Sequence, residues 1–253
     1  MAPAIVLGSA SQGTSVTVDH LGRMERGLYI AASGMIAEMV RQDQVANDLA
    51  NASTPGYKAD HSTQQSFNQV LLSNTLTGQP VGTLSLGTRI DSTVTDLTQG
   101  AIRETGQPLD FAIEGDGYFA VQSPQGVQYT RNGQFALSPQ GTLQTALGFA
   151  VLGQNGQPVR VGAGGRVNPA QVGLFALTGA QKVGDSNFTG AVAGRAQGVI
   201  KQGALEGSNA DPTHAMVDMI ASYRTFESGQ KAINTIDQTL QKAANQVGSL
   251  NGQ

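Results

Sequence analysis

Hydrophobic positions near the amino end of the chain recur with the period of a helix. Starting at Leu28, the positions follow in alternating steps of four and three, at Ala32, Met35, Met39, Gln42, Ala46 and Leu49. Because such steps place side chains on one face of a helix, the spacing predicts a helix over 25–50. Helix-breaking residues follow at 51–56, and Pro55-Gly56 fits the two central positions of a type II turn.

A second helical pattern occupies the carboxyl end, and its spacing is stricter. One register repeats every seven residues, at Met219, Phe226, Ile233, Leu240 and Val247. The register between them is Ala215, Ser222, Gly229, Ile236, Ala243 and Leu250. Asp211 is a candidate N-cap, and Pro212 suits the first helical position, where a missing N–H costs nothing. We therefore predict a long terminal helix with a heptad seam.

The pattern between the two helices is that of short strands. Strand-like runs at 109–121, 127–137, 143–152 and 172–177 are separated by turns that contain glycine. The tetrapeptide Ser-Pro-Gln-Gly occurs at 123–126 and again at 138–141, with Pro and Gly where a type I turn prefers them. Residues 57–100 are polar with weak periodicity, which predicts an extended connector with room for a short helix around 66–73.

Together these patterns predict an α+β fold class. Long N- and C-terminal helices would form a coiled-coil-like pair that encloses a β-rich middle domain. The expected boundaries are a mobile leader at 1–23, an N-terminal helix at 24–56, an extended connector at 57–100, a β-rich domain at 101–204 and a C-terminal helix at 205–253. The first and last helical segments would form one inner domain, 24–56 with 211–253. Met24 is an alternative start of the native chain.

Composition narrows the classes of function. Only 13% of the residues are charged, and a net charge of −3 offers no electrostatic footprint for nucleic acid. The chain has no Cys, which excludes disulfide scaffolds and thiolate zinc sites. It has no run of about 18 apolar residues that could span a membrane. No basic stretch precedes the apolar patch of residues 1–23, so we expect no cleaved secretory signal.

The candidate catalytic groups are isolated from one another. The histidines lie in different contexts without metal-ligand spacing, at His20, His61 and His214. Glu114 and Asp116 flank a glycine, and we interpret them as part of an exposed loop. Ser228 and Lys231 fit a Ser-x-x-Lys pattern whose companion motifs are missing. We therefore expect no catalytic, cofactor-binding or metal-binding residues, no small-molecule substrate and no enzyme activity.

The two apolar helix faces are the remaining functional feature. A helix with one apolar stripe buries it, and two such helices can do so against each other or against neighbouring subunits. Head-to-tail contacts that do not close generate a helical filament. We predict a subunit interface at Leu28, Met35, Met39, Leu49, Met219, Phe226, Ile233, Ile236, Leu240 and Val247. The alternative interpretation is an intramolecular pair of helices that supports a β domain.

Three blocks of the sequence resemble bacterial flagellar rod and hook proteins. The first block is 45–58, the second is 106–119 with 129–133, and the third is 205–233. They occur in the order found in that family and cover most of the chain from Met24 onward. The residues that carry the family motif are Asn47, Leu49, Asn51, Pro55, Gly56, Tyr57, Ser208 and Asn209.

The resemblance implies a structural axial subunit of the flagellar basal-body rod, of the FlgF or FlgG type. Such a subunit would polymerise helically through its terminal helices into the shaft that transmits torque between motor and hook. Its partners would be copies of itself, other rod and hook proteins, and the flagellar type III export apparatus. It would reach the basal body across the inner membrane without a cleaved signal peptide. A hook-protein-like subunit is an alternative, and a cell-wall hydrolase or surface adhesin with a β domain would be alternatives of another class.

Overall fold

The computed structural model describes residues 12–73, 80–162, 165–184 and 186–250, and gives side-chain surroundings for 26–66, 87–162, 165–184 and 186–245. The helices are α1 (Gln12–Ala50) and α2 (Pro212–Leu250), with a short 3-10 turn at Pro169–Gln171. Neither of these described helices is both long and apolar enough to cross a membrane. The strands are β1 (Asp60–Ser73), β2 (Pro80–Thr95), β3 (Ile102–Glu104), β4 (Phe111–Glu114), β5 (Tyr118–Ser123), β6 (Gly126–Thr130), β7 (Phe135–Leu137), β8 (Leu143–Thr145), β9 (Ala150–Leu152), β10 (Leu174–Gly184), β11 (Asn187–Arg195), β12 (Val199–Gln202) and β13 (Ala204–Glu206).

The start of α2 follows directly from its first residues. The Asp211 carboxylate accepts a hydrogen bond from the backbone N–H of Thr213 at 2.8 Å. Pro212 is the first helical residue, where its ring removes an N–H that would have no partner within the helix. The predicted N-cap is therefore confirmed.

The Cα positions group into two compact units. We call the first the helix–hairpin unit, which comprises the described residues up to Asp43, Ser62–Ser92 and the residues from Ile220 onward. We call the second the β unit, which comprises Gln44–His61 and Thr93–Met219.

Within the helix–hairpin unit, α1 contacts both α2 and the β1–β2 hairpin. The hydroxyl of Ser222 on α2 donates to the Glu38 carboxylate at 2.6 Å. The backbone N–H of Thr88 on β2 donates to the hydroxyl of Ser33 at 3.3 Å. A two-stranded ribbon is marginally stable by itself, so its contacts with α1 help to hold the hairpin in place.

The predicted coiled-coil-like pair of terminal helices is wrong. The structure has one N-terminal helix and one C-terminal helix that flank a β-rich middle in the sequence, and they do not form a long coiled-coil seam. In a coiled coil the apolar seam residues are buried as knobs in holes. Here none of the described apolar seam residues is buried, and Met39 is 52% exposed. The buried residues that join the two helices are polar, since Ser222 donates a hydrogen bond to Glu38.

The β unit is built on a seven-stranded antiparallel sheet with the order β10-β11-β6-β5-β9-β8-β7. β10 also pairs with β5, which closes β5, β6, β11 and β10 into a small barrel-like ring. Residues 123–126 form the β5–β6 hairpin turn. In the second Ser-Pro-Gln-Gly turn, the N–H of Gly141 donates to the carbonyl of Ser138 at 2.9 Å. Both predicted turns are therefore confirmed.

Side-chain alternation along β5 supplies two separate apolar clusters. Phe119 and Val121 are buried in the larger cluster, whereas Tyr118 and Ala120 lie in the smaller one. Successive strand residues point to opposite faces, so one strand can serve both clusters. Phe188 of β11 is fully buried in the smaller cluster, and its ring centroid lies 5.4 Å from that of Tyr118.

Two short two-stranded sheets bring the chain back toward α2. β12 pairs with β4, and β13 pairs with β3 through Ala204↔Glu104, Leu205↔Arg103 and Glu206↔Ile102. β13 lies between β12 and α2 in the chain, so its pairing positions the residues that precede the terminal helix.

Two further segments differ from expectation. The expected connector at 57–100 contains the long strands β1 and β2, and the short helix around 66–73 is wrong because β1 occupies that region. Residues 12–23 of the expected mobile leader are helical, as an extension of α1, since adding turns to an existing helix is far less costly than starting one. Residues 1–11 of that leader lie outside the described residues.

Substituting one leucine of a cross-strand pair should test the β core. Leu143→Ala should lower the free energy of unfolding by about 2–5 kcal/mol, because the fully buried side chain would leave a cavity. Leu137 faces Leu143 in the β7–β8 register but is 50% exposed, so Leu137→Ala should cost less than about 1 kcal/mol. Urea unfolding of both variants measures the difference, and equal losses would contradict the placement of Leu143 in the core.

Candidate functional site

The segment after α1 folds back onto the last turns of that helix through Tyr57. Tyr57 is 2% exposed, and its hydroxyl oxygen lies 2.8 Å from Oδ1 of Asn47 and 2.8 Å from Oδ1 of Asp48. Burial raises the pKa of the Asp48 carboxyl, and the hydrogen bond from Tyr57 opposes that shift. Burial and the neighbouring Asp48 also raise the pKa of Tyr57, so the phenol remains protonated and able to donate.

The turn that precedes Tyr57 requires glycine. The Tyr57 N–H donates to the carbonyl of Thr54 at 3.3 Å, and Gly56 has a φ of 68°, as the third residue of a type II turn needs. A Cβ at position 56 would lie 2.3 Å from the backbone carbonyl carbon of Arg131, so no side chain fits. The Gly56 N–H donates to the carbonyl of Glu206 at 2.8 Å. The predicted turn is confirmed, and it joins three segments of the β unit.

Three ionic side chains are buried together beside this turn. Lys58 and Glu206 are both 0% exposed, and Nζ of Lys58 donates to Oε1 of Glu206 at 2.6 Å. Arg131 donates to Oε2 of Glu206 at 3.2 Å, and the N–H of Gly100 donates to Oε1 at 3.0 Å. Burial lowers the pKa of Lys58, whereas the Glu206 carboxylate opposes this shift because it favours the charged ammonium.

The two cations have further partners outside this carboxylate. Nζ of Lys58 donates to the carbonyl of Thr98 at 2.5 Å. The Arg131 guanidinium lies 5.1 Å from the ring centroid of Tyr118, although its Nε has no hydrogen-bond partner among the described residues. Taking an ion out of water costs several kcal/mol, and close partners must offset that cost. Glu206 is therefore the group on which both cations depend.

Asn209 bridges the segment before α2 to the segment after α1. Its Oδ1 accepts a hydrogen bond from the N–H of Ala59 at 2.8 Å, and its Nδ2 donates to the carbonyl of Asp96 at 2.8 Å. Its own N–H donates to the carbonyl of Tyr57 at 3.3 Å. The neighbouring Ser208 hydroxyl accepts from the N–H of Ala210 at 3.1 Å, which orders the approach to α2.

Lys182, near the end of β10, contacts the same segment from another side. Its Nζ donates to the carbonyl of Lys58 at 2.8 Å and to Oδ2 of Asp60 at 2.9 Å. The same Nζ lies 4.0 Å from the ring centroid of Tyr57 in a cation–π contact. The other oxygen of Asp60 accepts from the hydroxyl of Thr95 at 2.6 Å.

We call this network of hydrogen bonds and ion pairs the polar junction, defined by Asp48, Tyr57, Lys58, Asp60, Arg131, Lys182, Glu206 and Asn209. Each charge in it lies near an opposite charge, a hydroxyl or a backbone group. Such an arrangement offers no activated nucleophile and no acid–base pair facing a cavity. What it does is hold the end of α1, the strand before α2 and the β sheet of this unit to one another.

The residues of the predicted family motif gather at or beside the polar junction. Asn47, Tyr57 and Asn209 make the hydrogen bonds described above, and Gly56 forms the turn. The Asn51 amide donates to the carbonyl of Asn47 at 2.9 Å. Pro55 lies in the turn, Ser208 precedes Asn209, and Leu49 is half-buried on the last turn of α1.

The predicted interface residues are distributed along the two helices. Met39 is exposed, and the side-chain surroundings of Val247 lie outside those described. The others are half-buried, namely Leu28, Met35, Leu49, Met219, Phe226, Ile233, Ile236 and Leu240. Two of them touch the opposite helix within the helix–hairpin unit, since Met35 lies against Gly229 and Ile236 against Gly27.

Sequence reasoning missed the ionic centre of the junction. Lys58, Arg131 and Glu206 all lie inside the blocks that carry the family resemblance, yet they were not selected as site residues. One sequence feature could have pointed to them. Only 13% of the residues in this chain are charged, yet each of the three blocks contains at least one charged residue. The histidines show no comparable convergence, and no group of three or more His, Asp or Glu in the described parts of the chain could hold a metal ion.

Comparison with known proteins accounts for the blocks that meet at the junction. Residues 28–58 match the model of the flagella basal body rod protein, residues 112–172 the D1 domain of the flagellar hook protein FlgE/F/G, and residues 201–247 the C-terminal model of the basal body rod FlgEFG protein. The chain is 34% identical to the flagellar basal-body rod protein FlgF of Salmonella typhimurium, with 90% of this chain and 100% of that protein covered. It is 31% identical to the rod protein FlgG of Bacillus subtilis, with 88% and 99% covered.

Within the β unit, the polar junction joins the end of α1, the approach to α2 and the sheet, which is a structural role for its charged residues. The three matched segments and the relatives then identify the chain: it belongs to the flagellar basal-body rod protein family, whose members are components of the bacterial motility organelle.

Neutralising the central carboxylate should disrupt the polar junction. Glu206→Gln should lower the free energy of unfolding by about 3–5 kcal/mol, because Lys58 and Arg131 would remain buried without a counter-charge. Glu104 lies on β3, which pairs with the strand that carries Glu206, and it is exposed. Glu104→Gln is therefore the matched control and should stay within about 0.5 kcal/mol of the parent. Chemical denaturation measures both, and a Glu206→Gln variant as stable as the control would refute the role of the carboxylate.

Proposed function

We propose that the chain is an axial subunit that polymerises helically into the rod and transmits torque between the flagellar motor and the hook. The observation that carries this proposal is a set of exposed apolar side chains on both terminal helices. On α1 these are Ile36, Met39 and Val40, and on α2 they are Met216, Val217, Ile220 and Tyr223. Large apolar side chains that a chain leaves exposed on its helices are typical of a protein that packs against neighbours.

The energy available from such contacts is substantial when it is repeated. Ile36 is 63% exposed and Ile220 is 55% exposed. Burying a side chain of this size contributes about 1.5–3 kcal/mol, and each added copy repeats the contribution. The half-buried residues of the predicted interface would add to this contribution. Identical head-to-tail contacts that do not close produce a helical polymer, which is the form that a rod requires.

The polar junction gives the subunit a means of passing force along its own chain. It connects the end of α1, the approach to α2 and the β sheet of its unit through ion pairs and backbone hydrogen bonds. A twisting force on one of these segments would therefore be shared by the others. This is a structural role without catalysis, and we propose no substrate, cofactor or metal.

The remaining partners follow from family membership. We propose that the chain assembles with other rod and hook proteins as well as with itself. We also propose that the flagellar type III export apparatus delivers it across the inner membrane without a cleaved signal peptide. Deleting the export apparatus and testing for retention of the chain inside the cell would check that route, since continued secretion would contradict it.

A charge placed among the exposed apolar side chains of α2 should block assembly. Ile220→Asp should abolish rod formation and lower self-association in solution at least about tenfold, because burying an unpaired carboxylate is costly. The variant should remain folded, since the side chain is already more than half exposed. Sedimentation of the purified chain and isolation of basal bodies measure the two effects.

Gln230 provides the matched control for this substitution, because it is exposed on the same helix and is polar. Gln230→Asp adds the same charge and should assemble normally. If Ile220→Asp assembles as well as Gln230→Asp, the proposed packing surface is incorrect.

A further inference from the structure

The charges of this chain are strongly segregated along the sequence. From Gly117 to Gly184 there are four basic residues, Arg131, Arg160, Arg166 and Lys182, and no Asp or Glu. The rest of the chain holds all 18 acidic residues against the other 11 basic ones. The polar junction uses Arg131 and Lys182. Arg160 and Arg166 are therefore two cations that the junction does not account for.

Arg160 and Arg166 line one concavity of the β unit. Its volume is about 670 Å³, and its other polar lining includes the side chains of Asn155, Gln157 and Gln171. Both arginines are exposed, and neither has a salt bridge to an acidic side chain within the described residues. Two guanidinium groups that line one concavity give it a positive charge, which favours the binding of an anion.

Backbone hydrogen bonds and buried neighbours order the two segments that carry the arginines. Val159 and Val167 are buried in the larger apolar cluster, and each is adjacent to one of the arginines. The N–H of Val159 donates to the carbonyl of Val151 at 2.9 Å, and the N–H of Gly162 donates to the carbonyl of Arg166 at 2.9 Å. The valines are buried and the arginines are exposed, so the backbone that carries the two arginines is ordered by the apolar cluster before any ligand arrives.

The exposed acidic residues differ in whether they already have a cation. Salt bridges within the same copy engage some of them, among which are Asp91 with Arg89, Asp211 with His214 and Glu227 with Lys231. Glu114 at the end of β4 and Asp116 in the loop that follows it are both exposed and have no salt bridge within the described residues. That loop is ordered, because the N–H of Gly115 donates to Oε1 of Gln99 at 3.0 Å and the carbonyl of Asp116 accepts from the N–H of Gly198 at 3.1 Å.

We propose that the Arg160–Arg166 concavity of one copy binds the two carboxylates of the Glu114–Asp116 loop of a second copy. Two carboxylates two residues apart in the sequence complement the charge of two guanidinium groups, and the backbone of each surface is ordered before contact. The contact joins different surfaces of the two copies, so it propagates from copy to copy and adds a β-unit contact to the polymer. This inference rests on the proposed function.

Charge reversal in the full-length chain tests the contact. Arg160→Glu with Arg166→Glu should raise the concentration needed for self-association about tenfold or more, and Glu114→Lys with Asp116→Lys should do the same. Mixing the two double variants should restore association. The acidic concavity of one variant then meets the basic loop of the other, and the unchanged concavity and loop still fit each other. Arg103 and Arg195 are exposed arginines outside the concavity, so Arg103→Glu with Arg195→Glu is the control of equal charge and should associate like the parent.

Sedimentation velocity over a concentration series measures the association, and circular dichroism confirms that each variant is folded. Parent-like association of the Arg160→Glu, Arg166→Glu variant would overturn the inference and leave the rod function intact. Loss of association without rescue on mixing would also overturn it, since the concavity would then contact something other than this loop. Stabilisation of the parent by inorganic phosphate, with association unaffected by charge reversal, would reveal a site for free anions only and would equally overturn it. A parent chain that never self-associates would overturn both this contact and the proposed polymer.

Discussion

The Glu206 carboxylate is fully buried and holds a lysine on one oxygen and an arginine on the other. Each of these three ions would destabilise the fold if it were buried alone. Together they are tolerated only while the ion pairs and hydrogen bonds between them keep their geometry. The constraint therefore acts on the backbone that carries them. Three backbone segments must lie next to one another before any of the three ions can be buried. They are the segment after α1, the turn after β6 and strand β13.

This constraint differs in kind from the apolar packing of the sheet. Phe119, Leu143 and Val151 are held by contacts that depend little on direction, and neighbouring arrangements of similar volume would satisfy them nearly as well. Ion pairs and backbone hydrogen bonds depend on direction, so the junction admits one register of its strands. The apolar clusters supply stability, and the junction fixes the segments of the β unit in which α1 ends and α2 begins.

Local signals predicted the parts of this structure that depend on neighbouring residues. Asp211 caps α2, Gly56 adopts a positive φ, and the Ser-Pro-Gln-Gly turns form because each depends only on adjacent residues. The heptad spacing identified the half-buried face of α2. It carries no information on what packs against that face, and for this reason the coiled-coil prediction failed. Strands β1 and β2 were missed because their polar sequences lack a clear alternation.

The ionic centre of the junction was missed for a different reason. Lys58 and Glu206 are 148 residues apart in the chain, so no local spacing connects them. Family resemblance marked the blocks that contain them but not the contact between them. The residues next to Lys58 in the sequence do not reveal its burial, because the carboxylate that makes this burial tolerable lies on strand β13.

The pairing of β10 with β5 has a consequence for strand pairing between copies of the chain. Strand edges with unpaired N–H and C=O groups can add a strand from another molecule, which is the route to domain swapping and amyloid. In the ring of β5, β6, β11 and β10, each strand has partners on both sides, at least over part of its length. At Phe175, Asn187 and Phe188, which are paired on both sides, no backbone group is left for a strand of another copy, so contact between copies at these positions is left to side chains.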